Sequence, residues 1–241
     1  MREAGHIARK FYGGDYKQWS KEGGSPVTEA DLAVNKYLCD VLTGARPGYG
    51  WLSEENTDDP ARLTRREVFV VDPIDGTIAF LKNRPHFTIC AALVVEGRPR
   101  CGVVYNPIAE EFYSARSGAG AHRNGVPIHV GTRDVLEGAA MLGDRTQFTH
   151  APWPPMHVQN RNSVAYRLAL VADGSADVSV SLTVKRDWDL AAADIILAEA
   201  GGLLTDARGA ALIYNRPVTK QSSLVAANPQ LHAAVIALLR Q

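Results

Sequence analysis

Two aspartates follow a short apolar run in the segment 70–77, which reads Val-Val-Asp-Pro-Ile-Asp-Gly-Thr. A buried strand would deliver Asp72 and Asp75 to its carboxyl end, and the proline between them cannot continue a strand ladder. Gly76 lets the backbone approach a ligand closely, and Thr77 opens a helical stretch whose free N–H groups can bind a phosphate. Because adjacent carboxylates repel each other unless a cation lies between them, the segment predicts a site for Mg²⁺ and a phosphate. A turn with solvated aspartates is the alternative.

Two further acidic segments strengthen the prediction of a metal site. Glu54 and Glu55 follow a short apolar stretch, and Asp189 follows Trp188 at the start of an alanine-rich run. Taken alone, the glutamates are typical of a solvated loop, and Asp189 is typical of a helix N-cap. The three acidic segments together are far more specific for metal binding than any one of them.

The elements that must position these residues follow from the hydrophobic spacing. Thr28, with Asp31 three residues on, resembles a capping box at the start of a helix. A polar surface loop is predicted over 57–67. The predicted helices are 3–12, 28–43, 162–173, 189–200 and 229–240, and the predicted strands are 68–71, 87–96, 101–106, 111–115, 128–130, 177–182, 203–206 and 223–226.

The two halves of the chain differ in their predicted structure. Antiparallel hairpins in the first half indicate an α+β arrangement, and the alternation of short strands and helices in the second half indicates α/β. We therefore expect an N-terminal subdomain, 1–135, that carries most of the metal ligands. A C-terminal subdomain, 136–241, would carry Asp189 and the residues of the substrate pocket.

Composition excludes several classes of protein. The chain has 241 residues, and 26 basic residues balance 26 acidic ones, which argues against a polybasic protein that binds nucleic acid or a membrane surface. The three cysteines form no CxxC pair, so a reducing, cytoplasmic setting is expected. Residues 1–20 show no apolar signal-peptide stretch, and no apolar run approaches the ~20 residues of a membrane-spanning helix.

Taken in order, the acidic segments resemble the inositol monophosphatase-like family of magnesium-dependent, lithium-sensitive phosphatases. The resemblance covers nearly the whole chain, and the matching segments are 25–31 (Ser-Pro-Val-Thr-Glu-Ala-Asp), 53–55, 72–77, 102–105 and 188–202. It implies a layered αβαβα sandwich of the inositol monophosphatase and fructose-bisphosphatase type. It also implies hydrolysis of a small phosphate monoester by metal-activated water, two or three Mg²⁺ ions as cofactors, and a homodimer.

The metal ligands are implied by the same resemblance, position by position. Glu54, Asp72 and the backbone carbonyl of Ile74 look like ligands of the first metal ion. Asp72, Asp75 and Asp189 look like ligands of the second ion. Glu54 also matches the ligand of a third, weaker ion.

The resemblance assigns the remaining catalytic roles to residues close to the ligands. Thr77 and Asp31 look like the pair that helps activate the attacking water, and Glu54 is counted with them as catalytic. Gly76 and Thr77 look like the backbone that cradles the phosphate, with Asp189 as a further substrate contact.

The choice of substrate depends on a basic residue outside the metal site. Arg167 lies in the segment 163–168, which walls the substrate pocket in this family. Inositol monophosphatases are neutral at this position, whereas the related 3'(2'),5'-bisphosphate nucleotidases are basic there and can pair with a second phosphate. Where the inositol enzymes place an acid for sugar hydroxyls, this chain has Lys185 and Arg186, with Asp187 as the nearest acid. The sequence therefore favours adenosine 3',5'-bisphosphate as the substrate, and the alternative is that Arg167 lies on a helix surface.

Two other functions stay open. Inositol 1-phosphate is the second candidate substrate, ahead of histidinol phosphate and fructose 1,6-bisphosphate. A role of a different class is also known in inositol phosphatase-like proteins, namely regulatory binding to RNA or the transcription machinery. Zero net charge argues against direct binding of nucleic acid, and retention of mutually repelling carboxylates argues against a purely structural role.

Overall fold

The computed structural model describes residues 1–21, 24 and 26–240. Within these residues the α-helices are α1 (Arg2–Phe11), α2 (Glu29–Ala45), α3 (Thr77–Leu81), α4 (Arg145–Phe148), α5 (Val164–Ala172), α6 (Asp187–Glu199) and α7 (Pro229–Leu239). The strands are β1 (Gln18–Ser20), β2 (Pro26–Thr28), β3 (Gly50–Ser53), β4 (Glu67–Asp75), β5 (Thr88–Val95), β6 (Arg98–Asn106), β7 (Glu111–Arg116), β8 (Ala121–Arg123), β9 (Val126–Ile128), β10 (Ala140–Leu142), β11 (His157–Gln159), β12 (Val178–Ser181), β13 (Lys185–Arg186), β14 (Leu203–Thr205), β15 (Lys220–Gln221) and β16 (Leu224–Ala227).

A seven-stranded sheet in the order β3-β4-β5-β6-β7-β8-β9 forms the first β-layer. The β3–β4 pair is parallel, and the following pairs are antiparallel. Strand β4 is buried on both faces, because Val70 packs in a cluster with Leu190 of α6 while Val71 packs in a cluster with Val34 of α2. Alternate residues of one strand therefore join two different helix layers to the sheet.

The second β-layer is a five-stranded sheet in the order β11-β10-β12-β16-β14. Leu224 on β16 packs in the cluster that holds α5 and α6, whereas Val225 packs with Leu231 of α7 on the opposite face. The layers therefore run α1/α2, seven-stranded sheet, α5/α6, five-stranded sheet, α7. This αβαβα sandwich confirms the predicted fold.

Helix α6 lies unusually close to the first sheet. A Cβ atom on Gly102 of β6 would lie 2.4 Å from the carbonyl oxygen of Ala192 and 2.5 Å from Cγ2 of Ile195. Only glycine allows this approach, and the close packing fixes the middle of α6 against the sheet that carries Asp72.

Most of the predicted elements are confirmed, and three local expectations are wrong. The strand expected at 128–130 lies at Val126–Ile128, and the expected surface loop 57–67 contains a 3₁₀ helix, Pro60–Thr64. The helix expected at 189–200 begins at Asp187, so Asp189 is not the N-cap that was considered as the alternative to a metal ligand. Its carboxylate instead accepts a hydrogen bond of 2.8 Å from the backbone N–H of Arg186. The capping box of Thr28 and Asp31 is present as predicted.

The division at residue 135 stays a prediction, although each of the two larger sheets draws its strands from one side of it. In the described part of the chain, none of the helices has the length and apolar character needed to cross a bilayer.

Candidate metal and phosphate site

Three aspartates meet where β4 ends and α6 begins. One carboxylate oxygen from each of Asp72, Asp75 and Asp189 lies within 4.8 Å of the other two. Asp72 and Asp75 are buried, and Asp189 is partly buried. The structure thus brings together two neighbouring acids and a third that is more than a hundred residues away in sequence.

The end of β4 is shaped by local hydrogen bonds. The pairing of β4 with β5 is irregular between Asp72 and Asp75, and the backbone N–H of Ile74 donates to Asp72 Oδ1 at 3.0 Å. Gly76 follows with φ +95°, and a Cβ atom there would lie 3.0 Å from the backbone nitrogen of Ser163. Glycine is therefore required at the point where the strand turns into α3.

Asp75 is held by the start of another helix. Its Oδ2 accepts hydrogen bonds of 2.6 Å from the Ser163 hydroxyl and 2.6 Å from the Ala165 backbone N–H. Ser163 is also the N-cap of α5, accepting from the Tyr166 N–H at 2.9 Å. Sequence reasoning missed this role of Ser163, although a serine before an apolar helical run is an N-cap signal that could have drawn attention to it.

The electrostatics of the cluster favour a bound cation. Burial raises the pKa of Asp72 well above its ordinary value, and the nearby charges of Glu54, Asp75 and Asp189 raise it further. The pKa of Asp189 is raised by burial and then by the charge of Asp75. Burial also raises the pKa of Asp75, to about 6, against the opposing effect of its hydrogen bonds from Ser163 and Ala165. Three carboxylates that resist ionisation together are stabilised in their ionised form by a divalent cation between them.

The donor set fits Mg²⁺. The clustered side chains offer carboxylate oxygens alone, and hard oxygen ligands combined with a substrate phosphate are the usual Mg²⁺ environment.

The pair of residues expected to orient water also lies together. Thr77 Oγ1 is 3.4 Å from Asp31 Oδ1 and 3.1 Å from the carbonyl oxygen of Ile74. The other oxygen of Asp31 accepts from the backbone N–H and hydroxyl of Thr28, at 2.8 and 2.6 Å. Burial raises the pKa of Asp31 to about 6, so the group is mostly ionised at pH 7 and can accept a proton or hydrogen bond. Ser25, which begins the matching segment 25–31, lies outside the described residues.

A cavity of about 190 Å³ opens onto the aspartates. Its lining comprises the predicted ligands and phosphate-binding residues together with three others and is formed by Pro26, Glu54, Asp72, Ile74, Asp75, Gly76, Thr77, Ile78, Asn162 and Asp189. Glu54 lines this cavity outside the three-aspartate cluster, and its carboxylate accepts from Lys21 Nζ at 3.0 Å. Lys21 also donates to Glu55 at 2.6 Å. Glu54 and Glu55 are therefore paired with a lysine and do not form the solvated loop that was the alternative.

Arg167 is buried, which excludes the helix-surface alternative. Its residue exposure is 7%, and its Nε has no hydrogen-bond partner in the described structure. It stands behind the lining of the carboxylate cavity rather than in it, yet the charges of Asp75 and Asp189 act on it. Burial lowers the pKa of Lys185 on β13, and the nearby positive charge of Arg167 lowers it further.

Asp187 does not substitute for the sugar-binding acid of inositol enzymes. It is fully buried, and its two oxygens accept hydrogen bonds of 2.7 Å from the Asn215 backbone N–H and 2.7 Å from the Gln221 side chain. Both carboxylate oxygens are therefore committed to holding the loop before β15.

Comparisons with known proteins agree with the fold and identify a family. A family model described as "Inositol monophosphatase family" matches residues 1–241. The 3'(2'),5'-bisphosphate nucleotidase CysQ of Aggregatibacter actinomycetemcomitans is 33% identical over 228 residues, covering 89% of this chain and 84% of the relative. The Nus factor SuhB of Escherichia coli K12 is 30% identical over 255 residues, covering 99% and 92%. The solved IMPase of Thermotoga maritima superposes with a TM-score of 0.86 at 28% identity, covering 100% of this chain and 93% of that one.

The αβαβα sandwich and the similarity to these proteins define the chain as a phosphoric monoester hydrolase. The chain belongs to the inositol monophosphatase family of these enzymes.

Proposed function

We propose that this enzyme hydrolyses a 3'(2'),5'-bisphosphate nucleotide, with adenosine 3',5'-bisphosphate as the best candidate. The observation that carries the proposal is the buried guanidinium of Arg167 beside the aspartate cluster. The proposal requires the second phosphate of the substrate to reach Arg167, which lies outside the lining of the carboxylate cavity, and charge-assisted hydrogen bonds of this kind are each worth roughly 1.5–3 kcal/mol. The similarity to the CysQ nucleotidase supports the same substrate class.

The carboxylates would hold the metal ions as the resemblance implies. Glu54, Asp72 and the carbonyl of Ile74 would bind one Mg²⁺, Asp72, Asp75 and Asp189 a second, and Glu54 a third. When bound, Mg²⁺ offsets the negative charge of the phosphate and lowers the pKa of water.

The remaining roles fall to residues whose geometry suits them. Thr77 Oγ1 lies 3.1 Å from the Ile74 carbonyl oxygen and 3.4 Å from Asp31 Oδ1, and it has one proton to donate. With the Ile74 carbonyl bound to Mg²⁺, that proton would go to Asp31, and the hydroxyl lone pairs would accept a hydrogen bond from the attacking water. Asp31, held by Thr28, fixes the direction of that hydroxyl. The turn at Gly76 and Thr77 directs backbone toward the cavity, where it can bind phosphate oxygens.

Inositol 1-phosphate is the second candidate, supported by the structural likeness to the Thermotoga IMPase. The burial of Asp187 counts against it, because this acid cannot reach a sugar hydroxyl. Histidinol phosphate and fructose 1,6-bisphosphate rank lower.

The test is phosphate release with Mg²⁺ across these four substrates, for the wild type and Arg167→Gln. We expect the wild type to prefer the bisphosphate nucleotide. Arg167→Gln should lower kcat/KM for the bisphosphate nucleotide about 10- to 100-fold, in line with the loss of a charged hydrogen-bond donor. Arg167→Lys should restore part of the loss. Inositol 1-phosphate hydrolysis should change less than about threefold. Equal losses on both substrates would contradict the role of Arg167.

Metal dependence is a separate expectation. Activity should require millimolar Mg²⁺ and be inhibited by Li⁺, since the donor set is made of oxygen ligands. Full activity in EDTA would rule out the metal assignment. The proposal also includes a cytoplasmic location and a homodimer. Size-exclusion chromatography with light scattering would check the oligomeric state.

A regulatory binding role is supported by the 30% identity to the Nus factor SuhB. Complementation of a deletion strain with Asp75→Asn separates the two roles. Loss of complementation is expected if catalysis is the function, and full complementation would favour binding.

A further inference from the structure

A second cavity, of about 410 Å³, lies beside the carboxylate cavity. Ser53 and Trp188 line it, whereas the residues that follow them, Glu54 and Asp189, line the carboxylate cavity. The two cavities therefore share a wall built from β3 and the start of α6. None of the roles assigned above uses this second cavity.

Two cations face each other at its rim. In the β13–β15 pair Arg186 lies directly opposite Lys220, so their side chains are on the same face of the ladder. Like charges directly opposite in an antiparallel pair are destabilising, and neither side chain has an acidic partner in the described part of the chain. The Arg186 guanidinium lies over the Trp188 ring, 5.7 Å from its centroid, which holds it at the cavity wall.

Neutral donors complete the wall. Asn56 Oδ1 accepts from Asn35 Nδ2 at 2.9 Å and from the Trp51 indole N–H at 2.8 Å, which leaves the Asn56 amide N–H₂ available to the cavity. Thr219 adds a largely buried hydroxyl.

One acid, Asp58, also lines the cavity. The negative charge of Asp58 is balanced by Arg62, which donates to the two carboxylate oxygens at 2.5 and 2.8 Å. The cavity is therefore a place where an oxyanion would find two unpaired cations and neutral hydrogen-bond donors.

We propose that this cavity is a second anion site, which binds a phosphate group through Arg186, Lys220 and the amide of Asn56. The bound phosphate relieves the repulsion between the two cations. It also contacts a wall whose next residues, Glu54 and Asp189, line the carboxylate cavity.

This site is distinct from the one proposed around Arg167. Successive residues of a strand point to opposite faces, and Lys185 is the residue of β13 whose charge interacts with Arg167 and Asp189. Arg186, the next residue, faces the second cavity. The inference therefore does not depend on which ester the enzyme hydrolyses.

Calorimetric titration with inorganic phosphate in EDTA tests the proposal, because the chelator removes metal-dependent phosphate binding. We expect saturable binding to the wild type, with Arg186→Gln and Lys220→Gln each weakening it at least tenfold. Arg167→Gln, and Lys10→Gln as an exposed one-charge control on α1, should leave it within twofold. Lys220 is exposed, so its substitution does not threaten the fold, and Arg186→Gln keeps the backbone N–H that binds Asp189.

Two results would overturn the proposal: no saturable binding, or binding that is lost in Arg167→Gln and retained in Arg186→Gln and Lys220→Gln. A parallel titration with adenosine monophosphate identifies the source of the phosphate group. Binding at least tenfold tighter than that of inorganic phosphate, and equally sensitive to Lys220→Gln, indicates an organic ester. Equal affinities indicate that free phosphate, the product of the reaction, is the ligand.

Discussion

The carboxyl end of β4 and the α5–β13–α6 region contribute to the same site in different ways. Around β4, the chemistry lies in one run of sequence, and some of its hydrogen bonds join residues two or three apart, such as Ile74 to Asp72 and Thr77 to Ile74. In the second region, Arg167 and Asp189 come from separate helices and meet only because α5 packs on α6. We infer that the first region supplies catalysis and the second supplies one metal ligand and the choice of substrate.

The largest expected effect tests whether α6 takes part in catalysis at all. Asp189→Asn should lower kcat by about 10³-fold or more, because it removes an ionised ligand from the metal cluster. Asp194→Asn is the matched control, since Asp194 is also a carboxylate of α6 but accepts from the Tyr214 hydroxyl at 2.8 Å, away from the cavity. Steady-state kinetics with Mg²⁺ measure both. Similar losses for the two variants would mean that α6 acts through its fold alone.

The next effect tests the first region. Thr77→Ala should lower kcat about 10²-fold, within the usual range for a group that assists proton transfer, with little change in KM. Thr77→Ser keeps the hydroxyl and should retain activity within about tenfold. Equal activities of the Thr77→Ala and Thr77→Ser variants would contradict the proposal that this hydroxyl orients water.

A smaller effect is expected where the two regions are joined. Ser163→Ala removes both the hydrogen bond to Asp75 and the N-cap of α5, and should cost about 1–2 kcal/mol of unfolding free energy. It should also weaken Mg²⁺ activation by roughly tenfold, because a residue that orients a ligand is lost. Ser175→Ala, at an exposed turn after α5, is the control and should leave both quantities unchanged. Urea unfolding and Mg²⁺ titrations of activity measure the two effects. A loss of stability with unchanged Mg²⁺ activation would confine Ser163 to helix capping.

The last prediction concerns the free energy of unfolding and not activity. Burial raises the pKa of Asp194 to about 6, so the folded state binds its proton more tightly than the unfolded state does. This contribution favours the folded state at low pH and is lost as pH rises from about 4 to 6, at about 1.4 kcal/mol per pH unit. The unfolding free energy of the wild type, relative to Asp194→Asn, should therefore fall by roughly 2–3 kcal/mol across that window. Parallel slopes for the two proteins between pH 4 and 6 would show that Asp194 is not the group responsible.

The contrast between the two regions also explains what was predictable. The strand and the helix on either side of Asp72 and Asp75 could be predicted because the backbone rules for proline, glycine and alternating apolar residues act within a few positions. The end of the strand was not, because β4 continues past the predicted end at residue 71 to Asp75. The predicted start of α6 at Asp189 was wrong because the helix begins two residues earlier, where Asp187 is buried under the loop before β15.

By itself, the sequence determined the acidic residues, the layered fold that the family resemblance implied, and the close backbone approach that glycine allows at position 76. Tertiary structure decided that Arg167 is buried, that Ser163 binds Asp75, and that Arg186 and Lys220 face each other across a two-stranded ladder. These contacts depend on how closely whole helices and sheets approach, as at Gly102 against α6, and that distance is set by packing across the core rather than by neighbours in the chain.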